Sequence, residues 1–163
     1  MKRKTLACAL FLAVAIAMVA AAPGPVTVPR YVSGAMDGRF VFEWVGPGEW
    51  DLATAGDVTG TLRHLGLAKM YSRHTPNWDG TLTNGTFTIV AANGDEISGT
   101  YEGSGYYVAA DQVHGDVTLV ITGGTGRFAG ATGTIDANFL ETFDDPTWWS
   151  ARVAWKLGGT VNY

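Results

Sequence analysis

The chain has 163 residues, 47% hydrophobic and 16% charged, with 11 basic against 15 acidic side chains and a formal net charge of −4. Its acidic balance, with no basic cluster beyond the first four residues, disfavours nucleic acid and anionic lipid as partners. The one cysteine, Cys8, lies near the N-terminus, so disulfides, thiol catalysis and cysteine-zinc sites are excluded from everything downstream.

Met1-Lys2-Arg3-Lys4 is followed by an apolar stretch from Leu6 to Ala22. A basic start, an apolar run of about 15 residues and a small-residue end describe a secretory signal. Val19-Ala20-Ala21 fits the cleavage preference, which makes residues 1–21 the signal peptide and predicts a secreted or periplasmic protein. The run falls short of the ~20 apolar residues that span a bilayer, so no membrane span is expected after cleavage. Cys8 sits at the start of the run, where a lipoprotein cysteine would not be. Removing Lys2, Arg3 and Lys4 leaves 8 basic against 15 acidic residues, a net charge of −7. About 140 residues remain, enough to bury a core without disulfides.

Residues 22–36 (APGPVTVPRYVSGAM) read as a proline-rich, extended lead-in, and residues 37–163 as one domain. Along that domain apolar residues alternate with polar or small ones. The stripes are Phe40, Phe42 and Trp44; Phe87, Ile89 and Ala91; Ile97 and Tyr101; Val117, Leu119 and Ile121; Ile135, Ala137 and Phe139; and Trp149 to Leu157. Period-2 patterning rich in threonine, valine and aromatics predicts strands, and no helical period competes with it. Asn93-Gly94 between two stripes is a hairpin signal, because a type I′ turn needs positive φ at both central residues. Asp79-Gly80 and Asn84-Gly85 are further turn candidates. A Gly-Thr-apolar triplet recurs irregularly, and reads as strand starts in a tightly curved sheet. About eight short antiparallel strands in one domain predict an all-β, closed β-barrel in preference to a sandwich.

The segment ITGGTGRFAGATG at 121–133 satisfies the G-x-G-x-x-G/A spacing of a dinucleotide loop. That loop needs a following helix whose N-terminus holds the phosphate. The residues after Ala129 are Gly-Ala-Thr-Gly-Thr, a poor helix start, so no nucleotide cofactor is expected. The stretch Leu119 to Gly133 instead resembles the T/V-G-G-T/S-G-x-F corner of the allene oxide cyclase and dirigent barrel families. His64-Leu65-Gly66 and Phe87 to Asp95 add a likeness to small secreted bacterial proteins without an established role. The resemblance covers roughly residues 56–161 and implies a calycin-like, eight-stranded barrel. No catalytic residue of allene oxide cyclase matches a position in this sequence, so the resemblance implies fold and not activity. The corner itself, Gly123, Gly124, Gly126, Arg127, Phe128 and Gly130, reads as architecture. Its glycines would supply positive φ or close backbone approach, Phe128 an inward plug, and Arg127 a partner for a carboxylate or loop carbonyls.

His64, His74 and His114 form no metal-ligand spacing, and ten strand residues would part His64 from His74 by about 33 Å, so no metal is expected. No nucleophile motif is present. Glu141 is in phase with Ile135, Ala137 and Phe139, so an unbroken strand would aim its carboxylate inward, where burial raises a pKa and suits acid–base work. The bland alternative places Glu141 at a strand end, in solvent beside Asp144-Asp145-Pro146. Tyr101, Phe139 and Trp155 would line an internal cavity for a small apolar molecule, with core packing as the plainer role. Trp148-Trp149 would suit a flat ligand or simply divide between the two faces. Three functions follow: a non-catalytic binding or scaffold module, a cyclase or isomerase using Glu141, and an eight-stranded outer-membrane barrel. The last draws on the aromatic C-terminus Lys156 to Tyr163, and is opposed by short strands and threonine-rich outward faces.

Overall fold

The computed structural model describes residues 27–46, 49–54, 58–144 and 149–163. The expected signal peptide, residues 1–21, and the first part of the lead-in lie outside the described residues. Among the described residues nine strands follow one another: β1 (Pro29–Gly46), β2 (Glu49–Thr54), β3 (Val58–Leu62), β4 (Gly66–Pro76), β5 (Thr81–Ala91), β6 (Glu96–Ala109), β7 (Gln112–Gly124), β8 (Thr132–Phe143) and β9 (Ser150–Asn162). All pair antiparallel in one sheet, each with its neighbour in sequence from β3 to β9. The ladder then returns on itself, because β9 pairs with β1 from Pro29↔Asn162 to Val41↔Ser150.

Nine strands fill eight positions in this ring. β1 is shared: residues 34–37 pair with β3, and Phe40 to Gly46 pair with β2. β2 also meets β4 at Leu52↔His74 and Ala53↔Arg73, so β2 and β3 occupy one position as a broken strand. Two expectations change here. Seven strands run 11 residues or longer, so the sheet is not built of short strands. β1 begins at Pro29, so the second half of the expected lead-in is strand and closes the ring.

Alternation decides which side chains go inside. In β8 the burial pattern sends Ile135, Ala137, Phe139 and Glu141 inward and Asp136, Asn138 and Leu140 outward. β7 sends Val117, Leu119 and Ile121 inward, and β9 sends Ala151 to Val161 inward in the same rhythm. At eight positions the space within such a ring is about what side chains fill. Outward, charges stand in the middle of strands: Lys69 and Arg73 on β4, Glu102 on β6, Asp116 on β7, Asp136 on β8, and Arg152 and Lys156 on β9. A lipid-facing barrel has the opposite arrangement, an apolar outer band.

Two turn expectations are corrected. The Ala92 to Asp95 loop joins β5 and β6, but only Gly94 has positive φ (86°), with Gly94 N–H donating to Ala91 O at 2.9 Å. It is therefore not a type I′ turn; one left-handed glycine closes a four-residue loop. Asn84-Gly85 is no turn at all. It is a bulge inside β5, where the register with β6 shifts between Leu82 and Gly85 and Asn84 has φ 56°. Asp79-Gly80 does turn the chain, with Asp79 Oδ1 accepting from Thr81 N–H at 2.9 Å.

Candidate functional site

The glycine corner closes one end of the ring. After β7 a single 3-10 turn, Gly126–Phe128, drops Phe128 into the core with no exposed surface. Its ring meets Tyr163 edge-on at 4.7 Å, and the Arg127 guanidinium lies over the ring at 4.6 Å. Arg127 Nη2 donates to His64 O at 3.3 Å, and Arg127 N–H donates to Asp95 Oδ2 at 3.2 Å. Phe128 is thus buried at the corner, and the Arg127 side chain reaches a loop carbonyl. Gly126 (φ 54°) is forced twice over, since a Cβ there would overlap the Asp95 carboxylate as well as strain the backbone. Gly130 (φ 75°) also needs its freedom. Gly123 does not: a Cβ there would meet nothing within 4 Å, so its expected close approach is absent. A strand, β8, follows the corner, and no helix N-terminus exists there for a phosphate.

At the other end the interior turns polar. Ser72 and His74 follow Ala68 and Met70 in the inward phase of β4 and are 7% and 2% exposed. His74 sits where the β4–β5 register shifts between Arg73 and Thr75. Across β5, Gly85 has no side chain, and the Tyr101 ring of β6 lies against it; a Cβ at Gly85 would fall 2.7 Å from that ring. Two bulges and one glycine therefore bring His74 Nδ1 to 2.6 Å from the Tyr101 hydroxyl. Burial pushes the Tyr101 phenol well above its usual range; the Ser72 hydrogen bond works against that rise and the Glu141 carboxylate adds to it.

Glu141 is the third member, inward on β8 and 3% exposed. Burial raises its pKa from 4.5 to about 8, so at neutral pH the carboxyl is largely protonated. The bland expectation of a solvent-facing strand end is overturned, because β8 continues to Phe143 and the inward phase holds. Its Oε1 has no hydrogen-bond partner among the described residues, and neither does Trp155 Nε1. Trp155 packs against Phe139 at 4.9 Å and Phe40 at 6.2 Å between ring centroids. Tyr101, Phe139 and Trp155, expected as cavity lining, all belong to the packed core. Three inward positions nearby, Gly103 and Gly105 on β6 and Gly115 on β7, carry no side chain. The Phe139 ring leans over Gly115, where a Cβ would fall 2.1 Å from it. Tyr107 stands opposite Val113, which stands opposite Glu141, so this row leads from the rim to the carboxyl. Burial, and then the Glu141 charge, raise the Tyr107 pKa although the residue is more than half exposed.

A pocket of about 300 Å³ lies on the outer face instead, lined by Glu102, Asp116, Thr118, Asp136 and Asn138 among others. It is acidic, unlike the expected apolar cavity. His64 and His74 flank opposite ends of β4. Among the described residues no group of three His, Cys, Asp or Glu side chains is placed to hold a metal.

No family model matches the chain, and no curated protein matches it. Among solved structures it is similar to a pterocarpan synthase dirigent protein, at 16% identity and a TM-score of 0.47. That alignment covers 85% of this chain and 88% of the other. The site described above rests on the chain's own pairing and burial.

Sequence reasoning found Glu141 by its phase and missed Ser72 and His74, for which the same signal was present. Ala68, Met70, Ser72 and His74 alternate in one stripe whose last two members are polar. His74 was weighed only as a metal ligand. Trp149 is about half exposed, and Trp148 lies outside the described residues.

Proposed function

We propose that the protein is a small-molecule-binding module exported from the cytoplasm, whose ring interior takes a small, mainly apolar ligand at the Glu141 end. The observation that carries this reading is Glu141 itself, a buried carboxyl in an apolar interior with an oxygen left unsatisfied. A buried polar atom without a partner costs about 1–3 kcal/mol, a cost that a bound group with matching hydrogen bonds removes. Phe42 and Val113 are only partly buried and Tyr107 is exposed, which gives the ligand a way in at this end. The basic start Met1-Lys2-Arg3-Lys4 and the apolar run from Leu6 to Ala22 support export, and the acidic balance of the chain disfavours an anionic ligand. The charged mid-strand rows outside speak against an outer-membrane barrel, although the strands themselves are long enough for one.

The test is titration of the folded protein with neutral molecules from benzene to naphthalene, read by tryptophan emission. Saturable quenching is expected, because Trp155 sits beside Glu141. A linear response with no saturation for any of them removes the reading.

The same carboxyl favours one further function, an isomerase or cyclase in which protonated Glu141 acts as the acid. In that case Glu141→Gln keeps ligand binding and abolishes turnover.

A further inference from the structure

Glu141 and Trp155 are neighbours across the β8–β9 ladder. Glu141 stands opposite Val153, and Phe139 stands opposite Trp155, so the two residues are a diagonal pair facing the same interior. Diagonal partners lie about 7–8 Å apart at Cα, within reach of long side chains. Both are buried, at 3% and 2% exposure, and both end in a polar atom without a hydrogen-bond partner among the described residues. The Tyr101 hydroxyl, which belongs to the same cluster, is already held by His74 at 2.6 Å. One orphan is an N–H donor and the other a carboxyl oxygen, on diagonal positions of the β8–β9 ladder, in an interior that holds the apolar Phe40, Phe139 and Val153 and the polar Ser72, His74 and Tyr101.

We infer that Glu141 and Trp155 together form a two-point hook for one uncharged oxygen group, an alcohol or a carbonyl, on an otherwise apolar ligand. This rests on the interior-binding reading and names its ligand class. An alcohol oxygen accepts from Trp155 Nε1–H and donates its own proton to the Glu141 carboxyl. A carbonyl oxygen accepts from both Trp155 Nε1–H and the protonated carboxyl. A carboxylate ligand loses the hydration of its charge on entry and repels Glu141 whenever that carboxyl ionises. An ammonium ligand has nothing to accept the Trp155 N–H and loses its hydration on entry.

The experiment uses one frame with five end groups: methylcyclohexane, cyclohexanol, cyclohexanone, cyclohexylammonium and cyclohexanecarboxylate, titrated calorimetrically at pH 6. Cyclohexanol, cyclohexanone or both are expected to bind about tenfold tighter than methylcyclohexane, the gain of one or two buried hydrogen bonds. Which of the two binds tighter reports the direction of the carboxyl proton. The charged pair should bind more weakly than the hydrocarbon. Trp155→Phe keeps the ring and drops the N–H, and should lose most of the oxygen preference. Glu141→Leu should lose it as well, while Glu141→Gln, which still donates and accepts, should keep it. If Glu141→Leu does not fold, Trp155→Phe decides.

If the native protein binds neither cyclohexanol nor cyclohexanone more tightly than methylcyclohexane, the hook is overturned and interior binding is left standing. The same follows from an oxygen preference that survives both Trp155→Phe and Glu141→Leu, or from a tightly held water that stays on both atoms in a crystal soaked with cyclohexanol. If no member of the series binds, interior binding itself falls, and the hook falls with it.

Discussion

Glu141 is the residue on which most of the chemistry turns, and its titration should be visible in the stability of the whole fold. Its folded pKa, about 8, lies above the ordinary carboxylate value of 4.5. Between those two values the folded state holds a proton that the unfolded chain has released. Stability therefore falls as pH rises through this window, by at most roughly 1.4 kcal/mol per pH unit, and levels off above the folded pKa. Glu141→Gln removes the titration, so melting curves of native protein and variant from pH 5 to pH 9 should diverge. The variant should gain relative to the native protein toward pH 9; parallel curves would show that Glu141 ionises normally. At this scale the sequence was legible wherever phase alone decides orientation, as for Glu141 and Trp155. It was less so at His74 and Asn84, where bulges shift the ladder and the pairing of a histidine with a tyrosine 27 positions away depends on register.

Among the elements, the β1–β9 seam matters most. It joins 13 pairs from Pro29↔Asn162 to Val41↔Ser150, as continuous as any hairpin ladder in the sheet. An open sheet would leave β9 with a free edge whose amides exchange rapidly. The seam predicts that amides of β9 and of residues 29–41 exchange as slowly as those of β7. Fast exchange confined to β1 and β9 would mean an open sheet. The strands themselves were legible from alternation, which is why most stripes and the Asp79-Gly80 turn fall where expected. The seam was not, because Pro29, Ser33 and Gly34 look like linker composition. Residues 29–33 pair with β9 alone, and residues 34–37 pair with both β9 and β3. The Asn84-Gly85 pair shows the complementary limit: turn-forming residues bend a strand as readily as they end it, and Tyr101 against Gly85 decides which.

For the molecule as a whole, the inside is apolar with a polar pole and the outside is charged. Such a ring needs no lipid to satisfy its surface. The segment from residue 22 onward should refold from urea in detergent-free buffer to a monodisperse form with a cooperative melt; a requirement for detergent would return the outer-membrane reading. The antiparallel all-β class could be read from composition and period, and the closed pairing could only be expected. The function was hardly legible, since an interior site made from β4, β6, β8 and β9 leaves no contiguous motif. The seam has a last consequence, for the chain as it is made. Of the described strands β1 is synthesised first and its partner β9 last, so the outer edge of residues 29–41 stays uncovered until residues 150–162 emerge. During that interval it is an open template for any other nascent strand. Val28 N–H also donates to Tyr163 O at 3.0 Å, so a short peptide linker would join the two segments. A permutant joined there and opened at Gly94 would synthesise β9 and β1 consecutively, as a hairpin, and shorten that exposure to one turn.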